Sequence, residues 1–337
     1  MKFKNAVSIF LTGFFILGSL TYAKDAGNFK PVVLKFANQH PSDSTASNAD
    51  REICEEINKA TEGRVKVELY TDSSLGDYTS IFEETMMGTI DMAHITAVET
   101  YDPKMSGAML PYLGSNYEEL EKAYAPDNYL FKTVSESAKK LGLHSFGFYC
   151  EGFSGIGVTK EIKDPAIPGK EKDVIVRIPG LDNFALPAKE LGFRTSTIAY
   201  SDTYTSMQTG TVNGWVGGPP NLNYLYFRDV IKYYYHYQMT QEATQIFMNE
   251  NKFNSLLPED QVAITKIIQN KCKESLVLAK TDEEKYMKLM EDTGIKVIKF
   301  SDEEKANFAK TIREKVWPKL TKHTSKKFMD NLLKSME

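Results

Sequence analysis

From Pro31 onward the apolar positions switch repeatedly between the period of a strand and that of a helix. Val32 to Ala37 reads as a strand, broken by Asn38-Gln39-His40-Pro41. Ser42 to Thr45 then supply helix caps before Ala46, Ala49, Ile53, Ile57 and Ala60 recur at helical spacing, with Gly63 as the stop. Val65, Val67 and Leu69 alternate with Arg64, Lys66 and Glu68, which predicts a second strand. A helix around Thr79 to Met87 and a strand from Ile90 to Ala93 follow. A β-α-β-α-β series of this kind predicts an open α/β sheet, whose ligands bind beyond the strand ends.

The second half continues the pattern. Ser145 to Cys150 predicts a strand leading into a glycine-containing loop, Glu151 to Gly157, and Val174 to Ile178 a buried strand ended by Pro179-Gly180. Residues 181–194 and Thr203 to Thr209 read as helices closed by Gly192 and Gly210, and Val212 to Val216 as a strand running into Gly217-Gly218-Pro219-Pro220. The aromatic stretch Tyr224, Tyr226, Phe227, Tyr233, Tyr234, Tyr235 and Tyr237 reads as strand, core and sheet surface, with Tyr224 nearest the glycine loop. Helical spacing then runs from Pro258 to Gly294, about 35 residues or roughly 50 Å, more than one lobe needs. Ile295 to Ile298 predicts a short strand and Ser301-Asp302-Glu303-Glu304 the start of a helix through Trp317; the lysines after it read as a solvated face.

One residue breaks this apolar logic. Arg177 stands inside the strand Val174 to Ile178, where an unpartnered guanidinium costs several kcal/mol. Such a residue snorkels to water, pairs with an internal acid, or receives an anion. The guanidinium's planar fork suits a bidentate carboxylate and also fits a sulfonate.

Composition narrows the field. Lys2 and Lys4 precede an apolar run, Ala6 to Leu20, and Thr21-Tyr22-Ala23 ends on a small residue, so residues 1–23 read as a cleaved export signal too short to span a bilayer. Its removal takes the net charge from −4 to about −6. That balance argues against nucleic acid or an anionic membrane as the main partner. The remaining chain, about 310 residues, is large for one core and comfortable for two lobes. Cys54, Cys150 and Cys272 are an odd set that read as small buried hydrophobes. Enzyme motifs are missing: Gly152-Phe153-Ser154-Gly155-Ile156 lacks the last glycine of a nucleophile elbow, no phosphate-binding Gly-x-x-x-x-Gly-Lys loop occurs, and His40, His94, His144, His236 and His323 are scattered without metal-ligand spacing. No catalytic, metal or cofactor site is expected.

Two segments taken together resemble the solute receptors of tripartite ATP-independent periplasmic (TRAP) transporters, the DctP-like family: Val176-Arg177-Ile178-Pro179, and Tyr204 to Gly214 with Gln208, Gly210, Val212 and Asn213 in register. Phe36-Ala37-Asn38-Gln39-His40-Pro41, Thr61-Glu62-Gly63-Arg64-Val65 and Gly88-Thr89-Ile90-Asp91-Met92 extend the likeness over nearly all of the chain after residue 23. The resemblance implies a two-lobed α/β periplasmic receptor, with one lobe from residues 24–149 plus about 239–281 and the other from 150–238 plus about 282–337. It also implies a long helix behind both lobes, and a monomer that hands a small organic acid to a membrane permease driven by an ion gradient. Arg177 is then the anion contact. Where some members present a second arginine this chain has Glu151, either a solvated loop carboxylate or a contact for a hydroxyl or amine. The family's usual Asp is replaced by Asn213, and Gly217 offers no side chain. Trp215 either walls the pocket or sits in the core, and Asn38, His40, Asn221 and Tyr224 complete the candidate ligand-binding set. A ligand-binding protein of a sensor system is the alternative on the same fold, and a periplasmic hydrolase a distant third.

Overall fold

The computed structural model describes residues 30–336, so the expected signal at residues 1–23 lies outside the described residues. The chain opens with strand β1 (Val32–Asn38), helix α1 (Thr45–Ala60), β2 (Val65–Tyr70), α2 (Tyr78–Met87) and β3 (Met92–Ile95). The Ser44 hydroxyl caps α1 by accepting from the Ser47 amide, and Ala46, Ala49, Ile53 and Ile57 form its buried face as their spacing predicts. Strand β3 starts two residues later than expected, because the chain is still leaving the left-handed Gly88 that ends α2.

Helices α3 (Tyr117–Tyr124) and α4 (Tyr129–Lys140) lead to β4 (Leu143–Phe153) and β5 (Ile156–Val158). Strand β4 runs past Cys150, where the sequence predicts a loop, and is buried along its length except at His144. Its continuation has a local cause: α9 (defined below) covers one face, and the Cys150 amide donates to the Ser275 hydroxyl at 2.8 Å. The order continues with β6 (Ile175–Ile178), α5 (Asp182–Glu190), β7 (Arg194–Thr197), α6 (Thr203–Gln208), β8 (Gly214–Val216), α7 (Pro220–Phe227), β9 (Tyr233–His236) and β10 (Gln241–Asn249). It ends with α8 (Glu250–Asn254), α9 (Pro258–Asp292), β11 (Lys296–Lys299), α10 (Asp302–Lys315), α11 (Trp317–Thr324) and α12 (Lys326–Met336). The aromatic stretch is therefore not one strand. Pro220 occupies the first turn of α7, where its fixed φ suits a helix, and Tyr224, Tyr226 and Phe227 are helical; only Tyr233, Tyr234 and Tyr235 lie in β9.

Two sheets result. The first has the order β2-β1-β3-β10-β4, with β10 antiparallel to both of its neighbours; the second has the order β11-β9-β5-β8-β6-β7. The chain passes from one sheet to the other between β4 and β5 and again between β9 and β10. The two passages are tied together: the Ser154 amide donates to the Thr240 carbonyl at 2.8 Å, and the two hydroxyls bond at 2.6 Å. Glycine is required at position 155, where a Cβ would overlap the Tyr234 ring. Helix α9 spans 35 residues and packs on α1 and β4 beside the first sheet and on α7 and β11 beside the second. Helix α12 packs on α3 and α4, beside the first sheet, whereas the end of the chain is expected with the second lobe. Its Phe328, Met329 and Leu332 are buried, so the lysines there are one face of a packed helix.

One apolar core cluster includes residues of both halves, and specific polar contacts join them as well. Asp77, the N-cap of α2, also accepts from the amides of Tyr200 and Ser201 at 3.1 and 3.4 Å. Glu99 accepts from the Asp182 amide at 2.6 Å at the start of α5, and the Tyr226 hydroxyl donates to the Gln39 carbonyl at 3.1 Å. No helix among the described residues is long and apolar enough to cross a membrane.

Candidate functional site

Arg177 lies in β6 between two parallel neighbours, opposite Ser196 of β7 and Trp215 of β8. It is 3 % exposed. Its Nε donates to the Ile198 carbonyl at 2.8 Å, which aims the guanidinium along the C-terminal edge of the sheet, and its central carbon stands 5.6 Å from the Tyr200 ring centre. Among the described residues no carboxylate comes within 4.0 Å of it. Burial pulls its pKa below the ordinary guanidinium value, yet a guanidinium stays charged in proteins. The result is a buried cation with most of its donors free.

Those donors face a cavity between the two sheets. Gln39, Thr96 and Tyr78 reach it from just beyond β1, beyond β3 and from the start of α2, and Glu242 from the start of β10. Arg177, Phe184, Tyr200, Trp215, Gly217, Gly218 and Leu222 close the other side. The cavity measures about 30 Å³, room for about two waters. Gln39 and Thr96 spend their polar groups on each other, at 2.8 and 2.9 Å. Burial pushes the Tyr78 hydroxyl up to about 12, so it remains a neutral donor.

Of the sequence-predicted residues, Arg177 and Trp215 line this cavity. Trp215 presents its ring alone, since its indole N–H donates to the Asn223 side chain at 2.8 Å. The others lie elsewhere. Asn38 donates to Ser47 at 3.1 Å and Asp50 at 2.6 Å, pinning β1 to α1. His40 and Glu151 face each other at 3.4 Å, both buried, and Glu151 also accepts from the Thr244 hydroxyl at 3.1 Å. Burial opposes both charges, but Glu151 with Asp50 and Glu242 outweighs that penalty for His40, and His40 with His94 and Thr244 does so for Glu151: the His40 pKa is raised and the Glu151 pKa lowered. Glu151 is thus not a solvated loop carboxylate and does not line the cavity at Arg177, because β4 carries it into the interior. It shares a smaller cavity, about 10 Å³, with Asn221, Ser275 and Asp282 beside α9. Tyr224 turns outward from the cleft, its ring 5.7 Å from Tyr286 of α9. Asn213 braces the sheet: its side chain accepts from the Ile175 amide at 3.0 Å, which a carbonyl does as well as the family's carboxylate. The three cysteines are free thiols, Cys150 and Cys272 buried and Cys54 partly so.

Gln39, Tyr78, Thr96, Phe184, Tyr200, Leu222 and Glu242 were not candidates from the sequence. The parallel-strand rule places ligands beyond strand ends, and Gln39 and Thr96 follow β1 and β3 directly, so that signal was available for these two.

The sequence pattern of bacterial extracellular solute-binding protein family 7, DctP, matches residues 36–323. The chain belongs to this family. Among curated relatives, the family 7 protein is 21 % identical over 285 residues to the sialic acid-binding periplasmic protein SiaP of Vibrio cholerae, covering 82 % of this chain and 86 % of SiaP. It is 22 % identical over 275 residues to the C4-dicarboxylate-binding periplasmic protein DctP of Rhodobacter capsulatus, covering 79 % of each. The fold matches that of TRAP periplasmic solute-binding proteins. One from Xanthobacter autotrophicus, solved with β-D-galacturonate, superposes with a TM-score of 0.79 at 20 % identity over 90 % of this chain and 99 % of that one. One from Desulfovibrio salexigens, solved with orotic acid, gives 0.82 at 14 % identity over 90 % and 98 %. Family 7 is a family of solute-binding proteins rather than of enzymes.

Proposed function

We propose that this family 7 protein is an extracytoplasmic receptor that closes its two lobes on a small organic acid, holds the acid group on Arg177, and delivers it to a TRAP-type membrane permease. The observation that carries this reading is the buried guanidinium, short of protein partners, that faces the cavity between the sheets. Beyond the Ile198 carbonyl and the Tyr200 ring, an incoming anion is what would stabilise a cation in that position. Aromatic rings from Tyr78, Phe184, Tyr200 and Trp215 form the rest of the wall and suit a small carbon skeleton. Relatives solved with D-erythronate and with L-gulonate support an acid as the ligand class. Residues 1–23 are the export signal in this reading, and the free receptor is a monomer.

The test is a thermal-shift and calorimetry screen of the refolded chain against mono- and dicarboxylates, hydroxy acids, amino acids and sulfonates. A ligand at 100 times its Kd adds about 2.7 kcal/mol to stability. Arg177→Ala is expected to lose binding at least 100-fold while keeping its circular dichroism; binding at wild-type strength in that variant would sink the proposal. Delivery is tested by uptake in vesicles carrying the cognate permease, which should require this protein and fail with Arg177→Ala.

A further inference from the structure

We propose that Glu242 is a second ligand-anchoring residue, which meets an uncharged hydroxyl on a small monoanion whose acid group rests on Arg177; the proposal builds on the receptor reading above. Glu242 and Arg177 line the same cavity from opposite sheets, so a ligand touching Arg177 extends towards Glu242. The ladder between β10 and β4 shifts register at Glu242/Ala243, an irregularity of the kind that re-aims a side chain beside a site. Glu242 is 7 % exposed, and among the described residues no Lys, Arg or His stands within ion-pair distance of it.

The groups facing Glu242 come from four directions: Glu151 of β4, the Gly218 amide after β8, His40 after β1, and Arg177 of β6. Burial first, and then the Glu151 carboxylate, push its carboxyl up to about 8, outweighing the other three. At neutral pH it therefore carries its proton and offers a hydrogen bond rather than a charge. Arg177 is the one cationic side chain lining the cavity, and His40 is committed to Glu151. A second carboxylate on the ligand would lie among acids with no cation to meet it. An ammonium would need three acceptors, and the Gln39 side-chain carbonyl is already taken by the Thr96 amide. A hydroxyl oxygen accepts the hydrogen bond that the protonated Glu242 donates and brings no second charge into the cavity.

The experiment is titration calorimetry of the refolded chain with lactate, glycerate and erythronate, with their deoxy counterparts propionate and butyrate, with alanine and serine, and with succinate and malate. Hydroxy monoacids are expected to bind at least tenfold more tightly than the deoxy acids, the amino acids and the diacids. Their affinity should be level below pH 8 and fall up to tenfold per unit above it. Glu242→Gln, which keeps a neutral donor, should bind within threefold of wild type at pH 7 and lose the alkaline fall. Glu242→Ala should erase the hydroxyl preference, so that hydroxy and deoxy acids bind within threefold of each other.

Tighter binding of diacids or amino acids overturns the assignment, as does an intact hydroxyl preference in folded Glu242→Ala or an unchanged alkaline fall in Glu242→Gln. If Arg177→Ala abolishes binding while both Glu242 variants are silent, the Glu242 role alone falls. If none of these probes binds wild type, or Arg177→Ala binds as wild type does, the receptor reading falls and takes this inference with it.

Discussion

A cation in a β-branched run is conspicuous, and Arg177 was legible in the sequence for that reason: no core requirement explains it. Its burial has a cost in the empty receptor. Replacing it with a flat-energy hydrophobe of similar length, Arg177→Met, is expected to leave the unliganded melting temperature unchanged or raise it, since removing a buried charge in favour of packing is often neutral or stabilising by about 1–4 kcal/mol. Scanning calorimetry without ligand checks this; a large fall would mean that the Nε bond to Ile198 matters more than the buried charge. Glu242 was not legible, because Gln241-Glu242-Ala243-Thr244-Gln245 looks polar and solvent-facing, yet every residue of β10 is buried. The strand is central in its sheet, and its polar side chains find partners far away in sequence, as Gln245 does in donating to the Met105 carbonyl at 2.8 Å. His40 and Glu151 misled for a related reason. Each is polar and near a strand end, but they are drawn together as a buried ion pair at 3.4 Å. That pair sets a pH dependence. The raised His40 pKa contributes stability that is complete below the unfolded value of 6.5 and is lost as pH rises through the folded one. The lowered Glu151 pKa contributes stability that is present above 4.5 and is lost as pH falls through its folded value. Melting temperatures should therefore decline on the alkaline side of about 6.5 and on the acid side of about 4.5. His40→Gln should flatten the alkaline limb; an unchanged profile in that variant would refute the pairing.

Elements were easier to read than their limits. Helix α9 was predicted at its full length because apolar spacing and a proline start do not depend on tertiary context. The long helix does its work together with the two strand passages, and there the backbone tolerates little. Gly155→Ala places a methyl group in the Tyr234 ring and should destabilise by about 1–3 kcal/mol or more, measured by urea unfolding. A midpoint within experimental error of wild type would show that the passage can yield. Strand β4 ran longer than predicted, and α7 replaced an expected strand, because burial by α9 and the proline pair outweighed local propensity.

At the scale of the whole molecule, one apolar core cluster runs through both halves, and a few hydrogen bonds join them beside the cleft. Asp77 is central to them, holding two amides of the opposite half. Asp77→Ser keeps an N-cap for α2 but shortens the reach to Tyr200, so affinity is expected to fall about five- to tenfold, as for one lost hydrogen bond, with little change in unliganded stability. Calorimetry on the variant with any ligand from the screen checks this, and unaltered affinity would remove Asp77 from the closing contacts. Chain length suggested two lobes and family resemblance supplied their plan; the strand and helix periods alone predicted only an open α/β sheet.

The order of strands in the first sheet also governs when this protein is born. Strand β10 fills the gap between β3 and β4, yet it lies more than two hundred residues after β1 along the chain. A ribosome or secretion pore delivers the polypeptide from its N-terminus, so β3 and β4 are present long before the strand that joins them. Until residue 249 has emerged, β2, β1 and β3 can pair with one another, but β4 has no neighbour in that sheet. Completion of the sheet is therefore left to the later segments of the chain.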